Sequence, residues 1–473
     1  MILFTPQRQA PDGRTLVDQA ADAIEQAIQD RILRPGMALP SIRQFAHDHR
    51  LSTFTVMAAY NRLVACGRLQ ARPGIDYRVA RREAARPSAP AWQMPQVGPA
   101  WLLSDVFADH SVSIKAGCGW LPPDWHNEAG LQHALRQLAR VPVGQMASYG
   151  HPLGYQPLRE HIADHLGGYG LESAAGQILL THGATQALDI VIRTALRTGD
   201  HVAVETPCYA NLLRLLALNG IVAHGVPRTP EGLDENALEA LARAHPLRAV
   251  FVSSALHNPT GASFTMAGAF RLLQLAERHD LLVVEDDVSR ELLQEPAPLL
   301  TALASTRRVV YISGFAKSVM PSLRVGYLLC DAGLLQRCAQ TKMSLGLTSA
   351  EIMERAAYRV LRDGRQGAYL RSVRERLGQA HDQVCQMMRE ADFEIAVEPG
   401  AGLFLWARPR QTPAGPQGAV GLAARALQAG IWLAPGAYFY PDQRDEGWFR
   451  FNVAYSANPA LWAFFRKAAA AGA

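Results

Sequence analysis

No apolar run in this 473-residue chain approaches the roughly 18 residues that cross a bilayer. Its start, Met1-Ile2-Leu3-Phe4-Thr5-Pro6, lacks the charged and long apolar regions of a secretory signal, so a cytoplasmic protein with no membrane partner is expected. The six cysteines (Cys66, Cys118, Cys208, Cys330, Cys338, Cys385) include no C-x-x-C pair. That spacing argues against a disulfide framework and a cysteine zinc centre, and no metal site is expected. A strong imbalance of charge is also lacking, with 47 lysines and arginines against 42 acids. A net +5 permits a nucleic-acid partner without requiring one. What remains is a soluble composition, 49% hydrophobic and 19% charged, too long for one core and expected to form two or three domains.

The first eighty residues carry a compact pattern. Leu16, Ala20, Ala23, Ile24, Ala27 and Ile28 line one face of a helix predicted over 16–32. Ser41 opens a second helix with Ile42, Phe45 and Ala46 inward. After a short turn Ser52 caps a third, from Thr53 to Ala65, which Gly67 ends. Leu69 to Val79 alternates around Arg72-Pro73-Gly74 as a small hairpin. Three helices and a hairpin make a winged helix-turn-helix, a fold that sets one helix in a DNA major groove. Ten arginines against seven acids in residues 1–80 suit that partner, although a helical accessory or dimerisation domain would show the same periodicity.

The stretches L-R-P-G-M-A-L-P-S-I-R-Q-F-A, L-S-T-F-T-V-M-A-A-Y-N-R-L-V-A-C-G-R-L and A-R-P-G resemble the DNA-binding domain of the GntR family of bacterial regulators over residues 15–80. The resemblance implies that Ser41 and Arg43 contact DNA, that Ser52, Thr53 and Thr55 meet bases or phosphates, and that Arg72 sits in the wing. Thr53 stands where that family usually has arginine, and Gly74-Ile75-Asp76 replaces its G-x-G wing. Domain boundaries of 1–80 for this head, 81–112 for a proline-rich linker and 113–473 for the remainder are expected.

Beyond residue 111, strand-like and helix-like segments alternate, which indicates a mostly parallel α/β sheet with its ligand at the carboxyl ends of the strands. Polar motifs fall at those ends. Lys317 follows the apolar run Val309–Ile312 and a small-residue turn, where a buried amine is suited to a Schiff base. Arg324 could pair two phosphate oxygens. Gly183-Ala184-Thr185 opens a helix that could hold a phosphate, or is an ordinary turn. Asn258, in H-N-P-T-G, could present its amide to a phenolate oxygen, or mark a turn. Asp286, in E-D-D, could meet a protonated pyridine nitrogen or cap a helix. Tyr209 could stack on a flat ring or fill the core.

G-A-T-Q-A-L, E-T-P-C-Y, H-N-P-T-G, E-D-D, G-F-A-K and S-L-R-V-G, in this order, resemble the fold-type I aminotransferases from about residue 113 to 470. Joined to the GntR-like head, the chain resembles the MocR-type subfamily, with an aminotransferase-like domain of large and small subdomains. That resemblance implies pyridoxal 5'-phosphate as cofactor, with Lys317 forming the internal aldimine and Asp286 meeting the pyridine nitrogen. Asn258 would bond the ring hydroxyl, and Tyr209 would stack on the ring. Ala184, Thr185, Ser313 and Arg324 would surround the phosphate. Arg450, in W-F-R-F-N, matches the receiver of a substrate carboxylate, and Tyr149 matches a residue reaching a partner subunit's phosphate in a homodimer with exchanged heads. Val288 and Ser289 replace a usual tyrosine, and Ala316 and Gly314 replace usual serines. Each lost hydrogen bond costs roughly 1 kcal/mol, so weaker cofactor binding and poor turnover are expected. The expected function is a regulator that binds an operator in double-stranded DNA and senses the cofactor, or an amino acid or amine forming an aldimine with it. The alternatives are a working aminotransferase with an accessory head and a repressor whose large domain only dimerises.

Overall fold

The computed structural model describes residues 5–7, 14–30, 32–72, 76–80, 112–142, 144, 147–411 and 418–470. The chain divides into two units, Met1–Met94 and Pro95–Ala473. The linker expected over 81–112 lies outside the described residues except for its last position, as does the tip of the hairpin.

In the first unit α1 (Leu16–Gln29) starts at a reciprocal cap, the Thr15 hydroxyl accepting from the Asp18 amide and the Asp18 carboxylate from the Thr15 amide. It ends before the predicted Ile32. The chain turns at Asp30 so that Leu33 is buried and its amide bonds the Ala27 carbonyl, while Ile32 stays exposed. Ser41 and Ser52 cap α2 (Ile42–Asp48) and α3 (Thr53–Ala65), accepting from Gln44 and Thr55 amides. Phe45, Val56, Tyr60 and Leu63 from these helices meet Ile24 and the hairpin residues Leu69 and Val79 in one core. The hairpin is β1 (Leu69–Arg72) against β2 (Asp76–Val79), antiparallel, with Leu69 opposite Val79.

The second unit is built on an eight-stranded sheet. Its strands are β3 (Ile178–Thr181), β4 (His201–Thr206), β5 (Val222–Thr229), β6 (Gly232–Leu233), β7 (Leu247–Val252), β8 (Leu282–Asp286), β9 (Val309–Gly314) and β10 (Gly326–Leu329). Their spatial order is β3-β10-β9-β8-β7-β4-β5-β6. Only β10 and β6 run against the rest. Continuous apolar runs such as Val309–Ile312 form these strands because both sheet faces are covered. A smaller sheet, ordered β11-β12-β14-β13, comprises β11 (Phe393–Ile395), β12 (Phe404–Pro409), β13 (Ala434–Pro435) and β14 (Phe449–Asn452). Phe393 packs edge-on to Phe451, Trp462 and Phe465 at its core, with centroids 4.9–5.9 Å apart.

Two strand ends depart from expectation. The pattern predicts a strand to Ala255, but β7 stops at Val252 because side chains take over the backbone beyond it: the Ser253 amide donates to Glu205 Oε2 at 2.7 Å. Conversely, the pattern predicts a strand from Leu281 to Val284, but β8 continues through Glu285 and Asp286. Glu285 tolerates full burial because its carboxylate accepts from Ser254 Oγ, the Leu300 and Thr301 amides and Thr301 Oγ1, at 2.5–3.0 Å. Glu285→Ala strands these donors and is expected to cost about 3 kcal/mol or more of stability in denaturant unfolding of the cofactor-free protein. A loss under about 1 kcal/mol would mean that water replaces the carboxylate.

Candidate functional site

Lys317 stands three residues past β9, and its Nζ donates to the Gly119 carbonyl. Burial lowers its pKa to about 8. The positive charge of Arg450 pushes the same way, while Cys118 and Asp286 pull back. Asp286 ends β8. Its Oδ1 is buried without a hydrogen-bond partner, and burial raises its pKa to about 7 against the opposing pull of the Val288 amide and Lys317. The adjacent Asp287 has a different task, since it pairs with Arg290 and accepts from the Tyr311 hydroxyl at 3.1 Å. The two aspartates of E-D-D are thus divided between a site and a buried ion pair.

Arg450, on β14, is 5% exposed and lies over the rings of Phe404 and Phe439, 4.7 and 5.1 Å from their centroids. Its Nη1 donates to Asn258 Oδ1 at 2.9 Å and its Nη2 to the Gly117 carbonyl at 2.6 Å. With that oxygen engaged, Asn258 presents its amide nitrogen as the donor to a ligand. Asn258 is also in a turn, as its motif allows. His257 Nδ1 lies 2.8 Å from Thr260 Oγ1 and the Gly261 amide donates to the His257 carbonyl.

Opposite these residues a twelve-residue helix, Ala184–Ala195, begins at Gly183 with φ +78°. A Cβ on Gly183 would meet Arg324 Nη2 at 2.7 Å, and one on Gly326 would meet the Gly183 carbonyl carbon at 2.4 Å. Two glycines therefore let β10, Arg324 and this helix start close on one another, with free helical N–H groups and a guanidinium at one place. Tyr209 lies beside Thr185, and its phenol feels the charges of Asp286 and Arg450. The fold thus gathers Lys317, Asp286, Asn258, Tyr209, Ala184, Thr185, Arg324 and Arg450. The Ser313 hydroxyl is occupied elsewhere, donating to the Asp287 carbonyl at 2.9 Å. Tyr149 is 82% exposed on the single chain. In the first unit Ser41, Arg43, Ser52 and Thr53 are exposed, Thr55 is half-buried, and Arg72 ends β1.

Several contributors carried no reading in sequence. The segment Gly117-Cys118-Gly119 supplies carbonyls to Arg450 and Lys317, and Asn452 Nδ2 fastens it through the Cys118 and Trp120 carbonyls. Its only sequence signal is the glycine pair, one member of which, Gly117, has Ala434 N 2.5 Å from where a Cβ would sit. Glu205 heads the E-T-P-C-Y motif. It accepts from Arg228 and the Ser253 amide and lies 3.3 Å from His257 Nε2, which sets the turn that carries Asn258.

Residues 122–460 match the model of aminotransferase class I and II, and residues 16–79 match that of bacterial regulatory proteins, gntR family. The uncharacterized HTH-type transcriptional regulator YdcR of Escherichia coli is 28% identical over 92% of this chain and 94% of its own. The probable rhizopine catabolism regulatory protein MocR of Rhizobium meliloti is 28% identical over 80% of this chain and 78% of its own. Among solved structures, LysN, the α-aminoadipate aminotransferase of Thermus thermophilus complexed with N-(5'-phosphopyridoxyl)-L-leucine, superposes with a TM-score of 0.70. It is 25% identical and covers 78% of this chain and 94% of its own.

Aminotransferases of this class use pyridoxal phosphate, and the residues present fit it. The unpartnered Asp286 oxygen suits a cationic ring nitrogen, the glycine-lined helix start and Arg324 suit a phosphate, and Lys317 suits an aldehyde. An amine adds to an aldehyde only in its neutral form. Cofactor uptake by the apoprotein is therefore expected to rise with pH up to about 8 and level off above it, as followed by stopped-flow absorbance. A flat profile between pH 6 and about 8 would mean that the amine is already neutral at the lower end.

Proposed function

The chain belongs to the class I and II aminotransferase family and carries a gntR-type head, and on that premise we propose that it is a DNA-binding transcriptional regulator. Its second unit senses pyridoxal phosphate or an amino compound joined to it. One observation carries this reading: a three-helix head with its hairpin precedes a lysine–aspartate–asparagine–arginine site that lacks hydroxyls, at Gly314 and Ala316, where the resembled transaminases have serines.

When bound, the cofactor supplies an aldehyde that joins reversibly to primary amines and a ring that withdraws electrons. Lys317 holds it covalently and Asp286 keeps its ring nitrogen protonated. Asn258 donates to its ring oxygen and Tyr209 lies against its ring. Ala184, Thr185, Ser313 and Arg324 receive its phosphate, and for this Ser313 must release the Asp287 carbonyl. Arg450 receives the carboxylate of an amino acid effector. Ser41, Arg43, Ser52, Thr53, Thr55 and Arg72 meet the operator. The ligand acts by binding the DNA-competent and incompetent arrangements with different affinity. The protein works in the cytoplasm as a homodimer with exchanged heads. Exposed Tyr149 and the exposed apolar Met343, Leu345, Leu347, Ile352 and Met353 support a partner surface.

The second reading, an active transaminase, draws support from the Lys317 amine, whose pKa near 8 leaves a useful neutral fraction. Two experiments separate the readings. Purified protein with added cofactor should show a visible absorbance band that Lys317→Ala abolishes. Lysine is scarce here (Lys115, Lys317, Lys342, Lys467), so borohydride trapping maps the attachment unambiguously. Protein that stays colourless with cofactor sinks both readings. DNA upstream of the protein's own gene or a neighbouring one should shift in a gel, and Arg43→Ala should weaken the shift at least about tenfold while keeping the band. Sustained keto-acid release with no shift on any neighbouring promoter would favour the transaminase.

A further inference from the structure

At the end of the parallel strands opposite to Lys317, three histidines converge. His201 opens β4, His224 lies in β5, and His245 follows the helix Glu235–Ala244 just ahead of β7. In the parallel register His201 faces Val222 and Ala203 faces His224, so both imidazoles rise from one face of the sheet, a diagonal step apart. His245 comes two residues before Leu247, which pairs with His201 from the other side. His201 Nδ1 lies 2.8 Å from His224 Nε2, and the ring centroids are 4.3–5.2 Å apart. One nitrogen from each ring lies within 4.8 Å of the other two, and all three residues are half-buried.

We propose that His201, His224 and His245 form a three-imidazole site for one divalent transition-metal ion of the zinc class, with water as the fourth ligand. Tetrahedral zinc binds imidazole nitrogens at about 2.0–2.1 Å, which sets nitrogens roughly 3.3 Å apart. The His201–His224 pair is already closer than that and a His245 nitrogen lies within 4.8 Å of both, so turning the nearly parallel rings, now 17–26° apart in plane, brings their lone pairs onto one point. The ion takes the place of the proton between His201 and His224. The donor ring moves that proton to its other nitrogen, so that both rings present lone pairs and no redox step is involved. Three imidazoles select zinc, nickel or copper over magnesium or calcium. Bound there, the ion ties β5 and β4 to the end of the Glu235–Ala244 helix, on the edge of the sheet that leads through β4 toward Glu205 and Tyr209. Its role is to brace that edge, apart from the chemistry of Lys317.

The test uses the full-length protein, with its cofactor, after chelator treatment. Zinc chloride is titrated by calorimetry and cobalt(II) by visible absorption. One equivalent should bind, with a tetrahedral cobalt spectrum, and excess magnesium should not compete. His224→Ala and His245→Ala should each weaken binding by more than about tenfold, since loss of a ligand exceeds the usual cost of losing an outer hydrogen-bond partner. The cofactor band should stay unchanged in these variants. His224→Asn and His245→Gln give the same reading if alanine loosens the sheet edge. Absence of zinc binding overturns the proposal, as do equal affinity in every histidine variant and binding lost only in Cys66→Ser. The last outcome would place the ion at the exposed thiol, and the histidines would be stacked rings sharing a proton.

Discussion

The guanidinium of Arg450 holds together three stretches of chain that are far apart in sequence. It reaches from β14 in the smaller sheet to the Asn258 side chain beyond β7 in the larger one, and to the Gly117 carbonyl. Taking a guanidinium out of water is costly, and here that cost is offset by charge-assisted hydrogen bonds and by the faces of Phe404 and Phe439. One consequence is orientation: the Asn258 oxygen accepts from Arg450, so its amide faces a ligand as a donor. The other is electrostatic. Arg450 is the largest charged influence lowering the Lys317 pKa, second only to burial. A residue that aligns the two sheets therefore also tunes the amine, and an anionic ligand that neutralised Arg450 would raise the Lys317 pKa.

Lys317 and Asp286 respond to burial in opposite senses. Burial favours the neutral amine and the neutral acid, with pKa values near 8 and 7. A cationic ring nitrogen beside the orphaned Asp286 oxygen would restore the carboxylate, and a covalent link at Lys317 would remove the need to bury a free ammonium. Binding a cofactor thus settles two charges that the bare site leaves unfavourable. Ligand binding and site stability are thereby coupled, which is what a sensor requires.

How much of this was legible depended on whether the physics was local. Ser41 and Ser52 cap the helices at the positions their spacing implied, because an N-cap is decided within four residues. The strands of the large sheet were legible as apolar runs because both faces are buried. Strand ends were less so. Where β7 stops is set by Glu205, forty-eight residues away, and β8 runs on because Glu285 finds donors around Leu300 and Thr301. The motifs of the candidate site were visible since they gather at strand ends: Asp286 ends β8, Asn258 follows β7 and Lys317 follows β9. Gly117 and Gly119 were not, since they act through backbone carbonyls that no residue type reveals, and neither was Asn452, whose side-chain amide fastens that segment from more than three hundred residues away. The histidine triad also escaped, because no ligand spacing links His201, His224 and His245; only the parallel register and the helix return bring them together.

The missing hydroxyls near Lys317 are also a matter of packing. A Cβ at Gly314 would come within 3.1 Å of both Gly326 Cα and the Val325 carbonyl, tighter than side chains ordinarily pack. A serine there would press β9 away from β10, and β10 carries Gly326 against Gly183 at the helix start. In this chain close strand packing and a third hydroxyl are alternatives, and the sequence takes close packing. Until Ser313 releases the Asp287 carbonyl, a phosphate would rely on the helix N–H groups, Thr185 and Arg324. On the proposed reading, a cup with fewer hydroxyls would hold its cofactor less firmly, each lost bond being worth roughly 1 kcal/mol. Weaker retention is a handicap for an enzyme that must keep its cofactor through every turnover. It suits a protein whose occupancy has to follow the supply of that cofactor, since occupancy reports concentration only when the two are balanced near the dissociation constant.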